Sequence, residues 1–156
     1  MKINFDSGKV ASDVSYMKLF HVDKIVSLDP DGIIALVLNN CAAAKAKLGE
    51  HKAALADFDK ALGLYPLYAE AYSNRAVTKG ILGQIEEAIV DYDEAVKICP
   101  QFVAAIVNRA FFQIKIGNYT AASADYDRAR AITDPEDFWT LNRLESLRTL
   151  LLKIVN

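Results

Sequence analysis

Two histidines, two cysteines and three recurring pairs of aspartates are the side chains of this sequence whose types could do chemistry. His21 lies in the N-terminal segment and His51 in a turn between helices, with no cluster of His, Cys and acid at metal-ligand spacing around them. The pairs Asp57/Asp59, Asp91/Asp93 and Asp125/Asp127 invite a carboxylate acid–base mechanism, which needs two carboxyl groups in one cleft. They recur every 34 residues, however, and a recurrence of that kind spreads them along a molecule instead of gathering them. No glycine-rich phosphate loop is present. Cys41 and Cys99 stand in different segments and read as reduced thiols, Cys41 as core packing. The sequence therefore predicts a non-enzymatic protein with no cofactor and no bound metal.

Bulk composition narrows the partners. Eighteen Lys plus Arg against 20 Asp plus Glu give a net charge of −2, without the basic stripe that phosphate neutralisation requires, so nucleic acid is not expected. A polybasic membrane anchor is disfavoured on the same ground. The longest apolar runs, Ile33 to Leu38 and Leu150 to Leu152, fall short of the roughly 20 residues of a membrane span. No apolar stretch of a signal peptide follows Met1, which leaves a cytoplasmic location as the expectation, and the Asn118-Tyr119-Thr120 sequon reads as incidental. A hydrophobic fraction of 53% over 156 residues is ample for a core.

The elements that must position any site are set by an internal repeat. Leu48-Gly49, Leu82-Gly83 and Ile116-Gly117 are spaced by 34 residues, as are Asn40, Asn74 and Asn108; Ala42, Ala76 and Ala110; Ala54, Ala88 and Ala122; Phe58, Tyr92 and Tyr126; and Ala61, Ala95 and Ala129. Pro66 and Pro100 close the first two copies; Asp134 stands at the third closure, with Pro135 one residue later. Copies occupy 35–68, 69–102 and 103–136, with a capping segment at 1–34 and a capping helix at 137–156. Each copy reads as two helices. In 69–102 they run from about Ala69 to Leu82 and from about Ile85 to Ile98, separated by a glycine free to adopt the left-handed conformation. Ala76, Ala88 and Ala95 let the helices approach closely while Tyr72 and Tyr92 fill the wider gaps. Arg75 and Arg109 on first helices face Asp57, Asp91 and Asp125 on second helices. Each Arg can pair with the Asp of its own repeat or of the one before, and Cys41 in place of Arg makes repeat one pair differently.

The spacing of Tyr72, Ala76, Leu82-Gly83, Ala88, Tyr92, Ala95 and Pro100, with the phrases Asn74-Arg75-Ala76 and Asp91-Tyr92-Asp93-Glu94-Ala95, resembles the tetratricopeptide repeat (TPR). The resemblance covers about two thirds of the chain. It implies an all-α fold, a right-handed α-α superhelix of three helix-turn-helix repeats with flanking helices, and a scaffold that binds other proteins. Leu38 and Ile106 depart from the family's aromatic, and Lys45, Lys79 and Gln113 from its tyrosine.

At the flanks, Asp134-Pro135-Glu136-Asp137 reads as a helix start, giving a final helix from about Pro135 to Ile154. Phe138, Leu141, Leu144, Leu147, Leu151 and Ile154 would dock it on the second helix of repeat three, and Leu150, Leu152 and Val155 widen the stripe. Asp29-Pro30 starts the first helix of repeat one near Asp31. Val14, Met17, Val22, Ile25 and Leu28 suggest a helix over 12–27, preceded by an extended piece at Ile3 and Phe5, that covers the open face of repeat one.

The resemblance further implies that first helices line a concave face. Its positions are Leu36, Asn39, Ala43 and Lys47 in repeat one, Glu70, Ser73, Val77 and Ile81 in repeat two, and Ala104, Val107, Phe111 and Lys115 in repeat three. Asn40, Asn74 and Asn108 border it, either to bind a peptide backbone or to bond neighbouring helix backbone. The family's clamp for chaperone C-terminal carboxylates wants Lys, Asn, Asn, Lys and Arg where this chain has Asn39, Ala43, Asn74, Ala104 and Asn108; only Asn74 matches, which disfavours a chaperone-tail adaptor. The expected function is an adaptor whose groove takes an apolar or mildly acidic segment of a partner protein. The competing reading is a self-associating unit or small secretion-type chaperone that dimerises through its terminal helices.

Overall fold

The computed structural model describes residues 30–155; the N-terminal expectations, the helix over 12–27, the extended piece at Ile3 and Phe5 and His21, lie outside the described residues. Seven helices and no strand appear among the described residues: α1 Pro30–Lys47, α2 His51–Leu64, α3 Ala69–Ile81, α4 Ile85–Ile98, α5 Val103–Lys115, α6 Tyr119–Ile132 and α7 Phe138–Val155. They pack as antiparallel pairs, α1 with α2, α3 with α4 and α5 with α6, each pair stacking on the next. This is an all-α helical-repeat solenoid.

The pairing follows from side-chain size. In the first pair Ala42, Ala54 and Phe58 are buried together; in the second, Ala76, Ala88 and Tyr92 occupy the same register. Ala110 and Ala122 continue it in the third, closed by Leu147 and by the half-buried Tyr126. Alanine on both helices brings the backbones together, and one ring per pair fills what remains. Between the helices of each pair the chain turns at Gly49, Gly83 and Gly117, whose φ angles of 84°, 80° and 77° a Cβ would oppose. The backbones also approach between pairs: a Cβ on Gly80 of α3 would stand 2.2 Å from the Phe112 ring of α5, which in turn meets Tyr92 edge-on at 5.5 Å.

Three expectations are corrected. The final helix begins at Phe138, not Pro135, because Asp134 accepts from the Glu136 N–H in a local turn and Asp137 is the cap, accepting from the Thr140 N–H at 3.0 Å. The loop before α7 is accordingly five residues, 133–137, against four at 65–68 and 99–102. Second, α7 packs on both α5 and α6, burying Leu144 and Leu147 but leaving Phe138 exposed. Third, Cys41 is exposed and contributes nothing to the core. Asn118 has a structural task after all: its side chain caps α6 by accepting from the Ala121 N–H.

Candidate functional site

Arginine and aspartate stitch the stack. Arg75 holds Asp91 of its own pair through Nε and Nη2 at 2.8 and 2.6 Å, and reaches back with Nη1 to Asp59 of the preceding pair at 2.7 Å. Arg109 repeats the pattern with Asp125 at 2.8 and 2.6 Å and Asp93 at 2.7 Å. Of the two alternatives left open by the sequence, the pairing within each repeat is realised; the fork also reaches back to the preceding pair, but to Asp59 and Asp93 and not to Asp57 and Asp91. In the first pair Lys45 takes over, binding Asp57 and holding its carboxyl below the ordinary range. Lys79 adds a second cation to Asp91 at 2.8 Å. Asp57, Asp59, Asp91, Asp93 and Asp125 are therefore occupied by structure, and no group of three or more potential metal ligands occurs among the described residues. No helix among them is long and apolar enough to cross a membrane.

The expected groove residues divide into three sets. Ala43, Lys47, Asn74, Val77 and Ile81 come together around one open cleft of about 190 Å³ between α1 and α3, with Ala46, Thr78 and Phe58 completing its walls. Val77 and Ile81 are 41% and 58% exposed there, a side chain's worth of apolar surface that the fold leaves uncovered. Asn39, Ser73 and Val107, by contrast, are buried and cannot meet a partner. Asn39 donates to the Tyr68 hydroxyl at 3.2 Å and accepts from Asn74 at 3.1 Å, tying α1 to α3. Asn74 therefore bonds a side chain of the neighbouring helix, Asn39, and not helix backbone. Glu70 is half-buried at the start of α3, where burial lifts its carboxyl above its ordinary value.

The third set lies at the C-terminal end. Asn108 and Phe111 of α5 do not line the cleft but meet Arg143 of α7, whose Nη2 donates to Asn108 Oδ1. The guanidinium lies over the Phe111 ring at 5.7 Å and over the Trp139 ring at 5.5 Å. Lys115, exposed, lies over Phe112 at 5.2 Å. Arg143 and Trp139 are absent from the expected groove. A signal for Arg143 exists: Asn142-Arg143 continues Asn74-Arg75 and Asn108-Arg109 at the same 34-residue interval, beyond the third copy.

Paired helices of this length, with glycine turns and alanine seams, make the described chain an all-α helical-repeat domain. Residues 69–102 match the family model for the tetratricopeptide repeat, so that repeat is a member of the family and the stack has its fold. No curated protein matches the chain in sequence. Among solved structures it is similar to the first TPR of Spaghetti (RPAP3) bound to the HSP90 peptide SRMEEVD, with 23% identity over 81% of this chain and 98% of that one and a TM-score of 0.68. The TPR2B domain of yeast Sti1 in its Hsp70 complex is similar at 23% identity, 78% and 98% coverage and a TM-score of 0.73. The Sgt2 TPR domain from Aspergillus fumigatus follows at 20% identity, 81% and 82% coverage and a TM-score of 0.69. At such identities the likeness is one of fold.

Proposed function

We propose that the protein is a non-enzymatic cytosolic adaptor that holds a segment of a partner protein against its first helices. The observation that carries this reading is the cleft between α1 and α3, where Val77 and Ile81 stay exposed beside the amide of Asn74 and the ammonium of Lys47. An apolar floor with few polar groups is what a peptide groove requires. The Spaghetti and Sti1 domains, whose complexes hold HSP90 and Hsp70 partners, support the assignment to protein binding in general. They do not extend to a chaperone tail here, since Asn39 is buried and Ala43 and Ala104 carry no charge. The Val77→Glu variant, placed on exposed surface, should melt with the wild type yet lose the partner that wild-type protein captures from a lysate of its source cells. Equal capture by both would place binding elsewhere.

The second reading, self-association through α7, is favoured by one feature. Phe138, Trp139, Leu150 and Leu152 remain exposed on that helix. Sedimentation of the intact chain against one ending at Asp134 separates the readings: a concentration-dependent dimer lost on truncation selects self-association.

A further inference from the structure

Three arginines stand 34 residues apart on α3, α5 and α7, Arg75, Arg109 and Arg143, and all three are half-buried. The first two each face two carboxylates. Arg143 has no carboxylate within ion-pairing distance among the described residues, although Asp127 stands in the register of Asp59 and Asp93. After the longer 133–137 loop its side chain reaches α5, within cation–π distance of the Phe111 and Trp139 rings and with Asn108 as its hydrogen-bond acceptor. Burial pulls its pKa down, opposed by the Tyr92 phenol and by no carboxylate. A guanidinium offers five N–H donors in a planar fork, and a partly dehydrated one lacking an anion is costly unless an anion completes it. Asn108 accepts from Arg143 through its carbonyl oxygen and sets its amide against the buried Tyr92 hydroxyl, so its part is to hold the guanidinium in place.

We propose that Arg143, with Asn108 and the Phe111 and Trp139 rings, is a seat for the side-chain carboxylate of an acidic residue in the bound peptide. Both rings lie within cation–π distance of the guanidinium and offer apolar walls to the methylene stem of Glu or Asp, a stem that a chain-terminal carboxylate lacks. Of the seat's residues only Asn108 stands at a clamp position, where it replaces the family's Arg; Arg143, Phe111 and Trp139 lie outside the clamp, and the proposal rests on the groove reading above.

The chain's single tryptophan is Trp139, so the seat carries its own fluorophore. A displayed library of random dodecapeptides, selected on the full-length wild type, should enrich for Asp or Glu beside apolar residues. Selection on Arg143→Gln should keep the apolar preference and lose the acidic one. The leading wild-type peptide, synthesised with an amidated C-terminus, should change Trp139 emission on titration, and its affinity should fall about tenfold when its Glu becomes Gln or Arg143 becomes Gln. The peptide exchange measures the contact even where the protein variant folds poorly. Acidic enrichment that survives Arg143→Gln overturns the seat, as does loss of binding on amidation. An apolar preference that Val77→Glu abolishes, with no acidic preference in the wild type, overturns the seat and leaves the groove standing. No enrichment at all overturns both.

Discussion

Arg109 holds Asp125 through two parallel N–H···O contacts and Asp93 through a third, and Asp125 is almost wholly buried, so truncating the arginine strands a carboxylate away from water. Removing one member of a buried pair costs more than the pair contributes, because the survivor keeps its desolvation penalty. Arg109→Ala should lower the unfolding free energy by about 2–3 kcal/mol, the partial exposure of the arginine discounting the fully buried figure. Arg148→Ala, which breaks only an exposed pair with Glu145 at 3.4 Å, should change it by about 0.5 kcal/mol or less. Urea titration of both reads the difference directly. The same residue-scale logic explains what sequence spacing leaves undecided. An interval of 34 places Arg109 near two aspartates but says nothing of how a planar fork divides its five donors between them. Nor does the interval give rotation about the helix axis: Asn39 and Asn74 are one residue out of register, and that residue separates a buried amide from a half-buried one at the cleft.

Helices and turns were the most legible scale, since their determinants are local. The bounds of α3 and α4 fall within a residue of those expected from Gly83 and Pro100. Each marks a backbone constraint that no tertiary contact can override. Gly83 adopts φ of 80° with no atom near a would-be Cβ, so a substitution there tests conformation alone. Gly83→Ala should cost about 1–2 kcal/mol, read as a lowered melting temperature without loss of helix content at room temperature. The start of α7 was misread because Asp134-Pro135 satisfies the rules for a helix start, and so does Asp137 three residues later. Only the extra loop residue, needed to swing α7 over both α5 and α6, selects the second. Cys41 was misread for a different reason. It takes the arginine's place in the first pair, and its register neighbour Asp57 is served by Lys45, one turn further along α1.

At the scale of the whole molecule, stability is a chain of nearest-neighbour interfaces, each helix pair leaning on the next. α7 closes that chain. Leu147 packs against Ala110 and Ala122 and Leu144 against the larger central cluster, covering a face that α5 and α6 would otherwise present to water. Leu147→Ala removes buried methylenes at the contact of α7 with α5 and α6, and should cost about 2–5 kcal/mol locally. How far that loss spreads depends on the coupling between pairs, which the Asp59–Arg75–Asp91 and Asp93–Arg109–Asp125 bridges and the Phe112 ring on Gly80 supply. Amide hydrogen exchange resolves it by position. In Leu147→Ala the amides of α7 and α6 should lose the most protection, those of α3 and α4 less, and those of α1 and α2 least, because each intervening interface attenuates the effect. Equal loss in all seven helices would instead mean that the bridges couple the pairs into one cooperative unit, and the groove between α1 and α3 would then respond to changes at the far end of the stack.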